Sequence, residues 1–261
     1  MRLFSRWRIH KNMSEEGSVD ISEQGGVRSL HLGNDTVQSS MRVARPNDLE
    51  LAYTRSMMAF LLFKQPKHIL MIGLGGGSLA KFVYHRMPHA RVTVVEISAK
   101  VVAAARSHFC LPEDDERLQL VIDDAAEFVA STTEVFDAVM VDGFNEHCQV
   151  ESLATESFYS HCQRLLCPDG VLVVNLWGSD TNYSNYFERI TAVFGGQVLA
   201  LPAEKRGNVI VFGFEKPLGM PRWSDLRERG KELEALYGLE FLEFIESFKR
   251  MNLYSEKRLL I

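Results

Sequence analysis

Past residue 67 the chain alternates short apolar runs with longer stretches whose apolar positions recur every three or four residues. The runs are 68–72, 91–97, 118–122, 138–141 and 171–175, and the stretches between them are 78–87, 98–109, 125–131 and 156–166. A run that is apolar on both faces reads as a strand covered on both sides. Such strands with helices between them form a parallel, doubly wound sheet. The pattern therefore predicts an α/β fold with a Rossmann-like sheet. Residues 198–201 and 208–214 flank Arg206-Gly207, a spacing that permits an antiparallel hairpin at the sheet's end.

Before the sheet the pattern changes. Val19 and Ile21 alternate with polar neighbours, Gly25-Gly26 follows, then Val27, Ser29-Leu30 and Leu32, then Gly33-Asn34-Asp35. This reads as short antiparallel strands joined by tight turns, an array too small to stand alone. Pro46-Asn47-Asp48 opens a predicted helix running to about Lys64, with Leu49, Ala52, Tyr53, Met57 and Phe60 on one face. Residues 216–261 read as an amphipathic helix pair, carried by Leu226, Leu233, Leu236, Phe241, Phe244, Ile245 and Phe248. Such a pair covers the sheet or a partner subunit. The expected division is an N-terminal β element and linking helix over 1–60, a Rossmann-like nucleoside-binding domain over 61–215, and a helical extension over 216–261.

Composition narrows the classes. With 261 residues, 46% apolar and 24% charged, the chain can bury a core without staples. Its 34 acids against 29 bases give a net charge of −5, which argues against wrapping nucleic acid. Apolar runs fall short of the roughly 18 residues that span a membrane. The basic stretch 1–11 lacks the apolar core of a secretory signal and reads as a frayed end. Cys110, Cys148, Cys162 and Cys167 form no C-x-x-C pair and read as free thiols in a reducing compartment. The repeated His147-Cys148 and His161-Cys162 dipeptides raise zinc, but neighbours on a helix point different ways, and no metal is expected. A cytoplasmic location follows.

The chemistry gathers at strand ends. Gly73-Leu74-Gly75-Gly76-Gly77-Ser78 follows a predicted strand and opens a helix, the context a nucleotide-binding turn requires. Gly73, Gly75 and Gly77 permit positive φ and close approach of a ligand to backbone, although glycine turns also serve packing. Glu96 ends the second strand, where a carboxylate accepts hydrogen bonds from both ribose hydroxyls of a nucleoside. The bland alternative is a solvated strand-end acid. Asp123-Asp124 ends the third strand, where one carboxylate suits an adenine amino group. Asp142 ends the fourth, in Val141-Asp142-Gly143-Phe144-Asn145. Ligands of doubly wound sheets bind beyond the carboxyl ends of the strands, so Glu96, Asp124 and Asp142 converge on one crevice. Its acids suit a cationic ligand better than a polyphosphate.

Over residues 19–214 the chain resembles the spermidine synthases, the polyamine aminopropyltransferases. The matching stretches are Leu30-His31-Leu32-Gly33 on to Gln38, Glu50-Leu51-Ala52-Tyr53, Ile69-Leu70-Met71-Ile72-Gly73, Val94-Val95-Glu96-Ile97 and Leu120-Val121-Ile122-Asp123-Asp124 with Phe128. Most specific is Phe136-Asp137-Ala138-Val139-Met140-Val141-Asp142, followed by Glu151-Ser152-Leu153 and Phe158-Tyr159. The resemblance implies a sheet of the S-adenosylmethionine-methyltransferase type behind a small N-terminal β element. It implies transfer of an aminopropyl group from decarboxylated S-adenosylmethionine to a putrescine-like amine, leaving 5′-methylthioadenosine. In that reading Glu96 binds ribose, Asp124 with Ala125 contacts adenine, and Ile97 and the glycine turn complete the cofactor wall. Asp142 accepts the proton, Tyr53 places the attacking amine, and Asn145 lies on the amine side. A homodimer is implied as well.

The chain departs from the family pattern on the amine side. Gly76 stands where the family's glycine motif carries Asp, and Asn145 replaces the second Asp of its D-x-x-D. Thr54 replaces a His or Gln, Gln149 a proline, and the tyrosine-rich amine loop reads Pro202-Ala203-Glu204-Lys205-Arg206. A depleted or altered amine site follows, each lost charge-assisted contact removing roughly 1.5–3 kcal/mol. Two alternatives stay open: an S-adenosylmethionine-dependent methyltransferase, and a non-catalytic nucleoside-binding protein of the same fold. A nicotinamide dehydrogenase rests on the glycines and Glu96 alone and lacks an evident hydride-transfer pair.

Overall fold

A computed structural model describes residues 7–12, 18–143, 150–203 and 207–261. Four N-terminal strands, β1 (Trp7–Asn12), β2 (Val19–Gln24), β3 (Val27–Leu32) and β4 (Ser39–Arg42), form an antiparallel sheet in sequence order. Part of the basic stretch read as a frayed end is thus strand β1, paired with β2 from Lys11 opposite Asp20 to Trp7 opposite Glu23. The helix expected from Pro46 starts later and is shorter. Turns occupy the chain to Leu51, α1 is Ala52–Met57, and a 3₁₀ segment Met58–Leu62 follows. All five residues of that segment are buried, which leaves no solvated face for an ordinary amphipathic helix.

The central sheet and its helices then follow: β5 (His68–Ile72), α2 (Ser78–Arg86), β6 (Arg91–Glu96), α3 (Ala99–Phe109), β7 (Leu118–Ile122), α4 (Ala125–Ser131), β8 (Phe136–Val141), α5 (Glu156–Arg164), β9 (Leu166–Trp177), α6 (Tyr183–Val193), β10 (Val198–Pro202) and β11 (Asn208–Phe214). The strand order is β10-β11-β9-β8-β5-β6-β7. Strands β9, β8, β5, β6 and β7 run parallel, while β11 pairs antiparallel with both β9 and β10. Every residue of β5 is buried, as its position mid-sheet under helices on both faces requires. Helix α6 did not announce itself in the sequence. Its buried residues are only Tyr186 and Ile190, one turn apart, too thin a stripe to stand out.

The C-terminal pair is α7 (Trp223–Tyr237) and α8 (Phe241–Phe248). Leu226, Leu233, Phe241, Phe244, Ile245 and Phe248 are buried within the chain, while Leu236 faces out. One continuous apolar cluster joins Val19, Ile21 and Leu30 of the N-terminal sheet to one face of the central sheet and to α7 and α8. Each large apolar side chain fully buried there contributes about 1.5–3 kcal/mol. Arg55 of α1 ties the ends together, its Nε donating to Glu240 Oε1 at 2.6 Å, just before α8. Among the described residues no helix is long and apolar enough to cross a membrane.

Candidate active site

The strand order reverses between β5 and β8, and ligands of open α/β sheets sit beyond the carboxyl ends at such a point. A cavity of about 460 Å³ opens there, within the range of small-molecule sites. Gly73, Gly75, Glu96, Ile97, Asp124, Ala125, Asp142 and Tyr53 all line it. Gly77 does not. It caps α2 with φ +70° and packs under Leu111, a structural duty. Asn145, Gln149, Glu204, Lys205 and Arg206 lie outside the described residues, as do His147 and Cys148.

Backbone geometry places the first wall. Gly73 has φ +89°, and a Cβ there would stand 2.3 Å from the Asp142 carbonyl oxygen. Only glycine lets the ends of β5 and β8 approach so closely. Glu96 is held by main-chain donors: Leu74 N–H gives to Oε2 and Ser98 N–H to Oε1, each at 2.9 Å. Burial pushes its carboxyl above the usual range, and those N–H bonds with Ile97 N–H pull it back. The carboxylate is therefore aimed before any ligand arrives. Asp124 is the N-cap of α4, Oδ1 accepting from Ala126 N–H at 2.7 Å.

The second wall is a polar chain across four elements. Asn208 Nδ2 donates to Asn175 Oδ1 at 2.9 Å, and Asn175 Nδ2 donates to Asp142 Oδ1 at 2.8 Å. The Tyr53 hydroxyl donates to Asp142 Oδ2 at 3.1 Å and lies 3.3 Å from the Gln38 carbonyl. Register explains the alignment, since Val141 pairs with Val174 and so brings Asp142 level with Asn175. Burial raises the Asp142 carboxyl above its ordinary value, while the Asn175 and Tyr53 bonds restrain the rise. Burial and then the Asp142 charge hold the Tyr53 hydroxyl well above its ordinary value, so it stays a donor. A carboxylate of raised basicity, oriented by two donors, can take a proton from a bound amine.

Asn175, Asn208, Trp177 and Asp180 also line the cavity, and the sequence reading missed them. Asn175 had a visible signal: it is a polar residue inside an apolar run, and it is only 1% exposed. Glu96, Asp124, Asp142 and Asp180 are on the wall, and no Lys, Arg or His is among the described lining residues. Two departures from the family pattern have physical causes nearby. A Cβ at Gly76 would meet Ser39 Oγ at 2.8 Å and Phe109 Cδ1 at 2.9 Å. Thr54 is buried, with its hydroxyl given to the Leu51 carbonyl at 2.7 Å. Away from the cavity, Cys162 is buried and Cys110 and Cys167 are free thiols. No group of three or more potential ligands converges as a metal site among the described residues.

Comparison with known proteins agrees with this fold. The fold is shared with a probable spermidine synthase from Corynebacterium glutamicum, at TM-score 0.74, 22% identity and 88% of both chains. It is shared also with a spermidine synthase solved with the transition-state analogue AdoDATO, at TM-score 0.71, 21% identity, 92% of this chain and 84% of the other. Human methyltransferase-like protein 13, solved with SAH, has TM-score 0.65 at 24% identity, over 72% of this chain and 92% of its own. The class is therefore a methyltransferase-type α/β sheet preceded by a small antiparallel sheet. The spermine/spermidine synthase domain profile matches residues 50–194. The polyamine aminopropyltransferase of Chromobacterium violaceum is 44% identical over 257 residues, 98% of each chain. That of Neisseria meningitidis serogroup A is 41% identical over 247 residues, 94% of each. The chain belongs to the spermine/spermidine synthase family, and is a transferase of the polyamine aminopropyltransferase kind.

Proposed function

We propose that the cavity binds decarboxylated S-adenosylmethionine and passes its aminopropyl group to an amine through an altered acceptor site. The observation that carries this reading is Asp142, half-buried at the switch point between Asn175 and Tyr53, in a wall of acids with no basic side chain among the described lining residues. A sulfonium and an ammonium both suit such a wall. Glu96 faces the ribose hydroxyls, Asp124 and Ala125 the adenine, and Ile97, Gly73 and Gly75 the rest of the nucleoside. The amine nitrogen attacks the methylene carbon next to sulfur. The carbon–sulfur bond breaks with its electron pair going to sulfur, which leaves 5′-methylthioadenosine. Asp142 takes the proton from nitrogen, and Tyr53 with Asn145 steers the incoming amine. The Gly76 and Thr54 environments support an acceptor site different from the family pattern. The same reading includes a homodimer built on the N-terminal sheet and a cytoplasmic location. A monomer mass by light scattering at micromolar concentration ends the dimer.

The test is a mass-shift assay with both S-adenosylmethionine and its decarboxylated form against a panel of amines. A gain of one aminopropyl unit is expected. A gain of one methyl group favours the methyltransferase alternative, and no product favours a nucleoside-binding protein. Asp142→Asn lowers turnover by about 10²–10⁴, while affinity for 5′-methylthioadenosine stays within a few-fold. Wild-type turnover in that variant refutes the proton-acceptor role.

A further inference from the structure

We propose that the amino ends of β5, β6 and β7 form a second binding site, which takes an oligophosphate chain such as tripolyphosphate or the tail of a nucleoside triphosphate. It is independent of the transferase reading above. A cavity of about 370 Å³ lies there, lined by Lys67, His68, His89, Arg91, Glu116 and Arg117. It sits at the opposite end of these strands from the acid-walled cavity, which gathers Gly73 and Glu96 at their carboxyl ends. Parallel register sets the cations side by side. Lys67 directly precedes β5, Arg91 opens β6, and Arg117 directly precedes β7. Arg91 N–H donates to the Lys67 carbonyl at 2.9 Å, and Val92 N–H to the Arg117 carbonyl at 2.7 Å. The three residues therefore follow one another across the sheet. Adjacent strands lie about 4.8 Å apart, which keeps the row within roughly 10 Å.

Neutral groups hold the two guanidiniums, so their charge stays available to a ligand. Arg91 Nη2 donates to His68 Nδ1 at 3.0 Å. Arginine only donates, so the imidazole carries its proton on Nε2, which meets Thr93 Oγ1 at 3.1 Å. His68 is buried, and burial followed by the Arg91 charge lowers its pKa, with Glu134 and Asp137 offsetting part of the drop. Arg117 Nη1 donates to the Tyr84 carbonyl at 3.0 Å, and its guanidinium lies 4.3 Å from the centre of the Tyr84 ring. The acids close by have other partners. Asp137 Oδ2 accepts Lys67 and His68 N–H, and its Oδ1 pairs with Lys64 at 3.0 Å. Asp115 Oδ1 accepts Arg117 and Leu118 N–H, and its Oδ2 the Tyr84 hydroxyl. Glu116 is the one acid among the described lining residues, against Lys67, Arg91 and Arg117. Arginine forks grip phosphate oxygens two at a time, and lysine adds a point charge. A chain of phosphates meets the whole row, a single phosphate only part of it.

The experiment is titration calorimetry of sodium tripolyphosphate into the full chain at low salt, for wild type, Arg91→Gln, Arg117→Gln and Lys231→Gln. Lys231→Gln removes the same charge from the exposed face of α7, away from the row. Melting temperatures check that each variant folds. Expected is one-site binding in wild type, weakened roughly ten- to hundredfold in Arg91→Gln and in Arg117→Gln, the worth of a lost charge-assisted contact. Lys231→Gln stays within about twofold, because an exposed charge beyond a Debye length is screened. Adenosine triphosphate and inorganic phosphate are titrated alongside. Adenosine triphosphate bound within a few-fold of tripolyphosphate, and equally sensitive to Arg91, supports recognition of the phosphate chain. Inorganic phosphate bound as tightly as tripolyphosphate overturns the proposal. So does adenosine triphosphate bound where tripolyphosphate is not, absence of tripolyphosphate binding in wild type, or a loss in Lys231→Gln equal to that in Arg91→Gln.

Discussion

Replacing Lys81 by methionine removes a buried cation that has no carboxylate partner among the described residues. Lys81 lies on α2, one turn beyond the glycine loop, and is 1% exposed. Its Nζ donates to the Phe109 carbonyl at 2.6 Å, to the Pro46 carbonyl at 2.8 Å and toward Met41 Sδ at 3.2 Å. It thereby ties α2 to the end of α3 and to the segment leading into α1. Burial lowers its pKa to about 8. An unfolded lysine titrates near 10.4, so between these values the unfolded chain binds more protons and stability rises with pH. From pH 7.5 to 9.5 this single group adds about 2 kcal/mol to the unfolding free energy. The thiols Cys162 and Cys167, raised by burial, act with the opposite sign over part of that range. The difference between wild type and Lys81→Met cancels their share. Urea unfolding followed by circular dichroism at both pH values, on both proteins, measures it. The wild type should gain about 2 kcal/mol more than Lys81→Met across the interval. Equal pH slopes in the two proteins refute the reasoning.

Three further outcomes are expected. Glu96→Ala loses at least tenfold in affinity for 5′-methylthioadenosine by titration calorimetry, and an unchanged constant removes the ribose assignment. Gly73→Ala forces a Cβ against the Asp142 carbonyl at positive φ and destabilises by about 2–4 kcal/mol, which a thermal melt detects. Asn175→Leu strips a hydrogen bond from the Asp142 carboxylate; its pKa rises further, and the acid limb of the pH–rate profile moves to higher pH.

The sequence was most legible where one physical cause dominated. Strand β5, buried on both faces, leaves a continuous apolar run, so residues 68–72 matched it to the residue; 118–122 matched β7 as well, although that edge strand is buried only at Leu118. Strand-end acids carry charge into a crevice, so Glu96, Asp124 and Asp142 were visible together. Legibility failed where neighbours decided. The α1 region reads as one amphipathic helix, yet burial on every side tightens its second half into a 3₁₀ turn. Strand β9 begins at Leu166, at the end of the stretch 156–166 that reads as helix and well before the apolar run 171–175, with its register against β8 broken between Phe136 and Ala138. Asn208 and Asp180 belong to no motif; the pairing of Asn208 opposite Trp177 brings the first to the cavity, and the turn in which Asp180 N–H meets the Trp177 carbonyl brings the second.

The two walls of the cavity are encoded very differently along the chain. Most of the wall assigned to the nucleoside, from Gly73 through Ala125, comes from one continuous stretch of three strand ends. The opposite wall is assembled from Gln38, Tyr53, Asp142, Asn175, Asp180 and Asn208, six positions on separate connections and strands. A lineage can therefore exchange the second wall one loop at a time while inheriting the first intact.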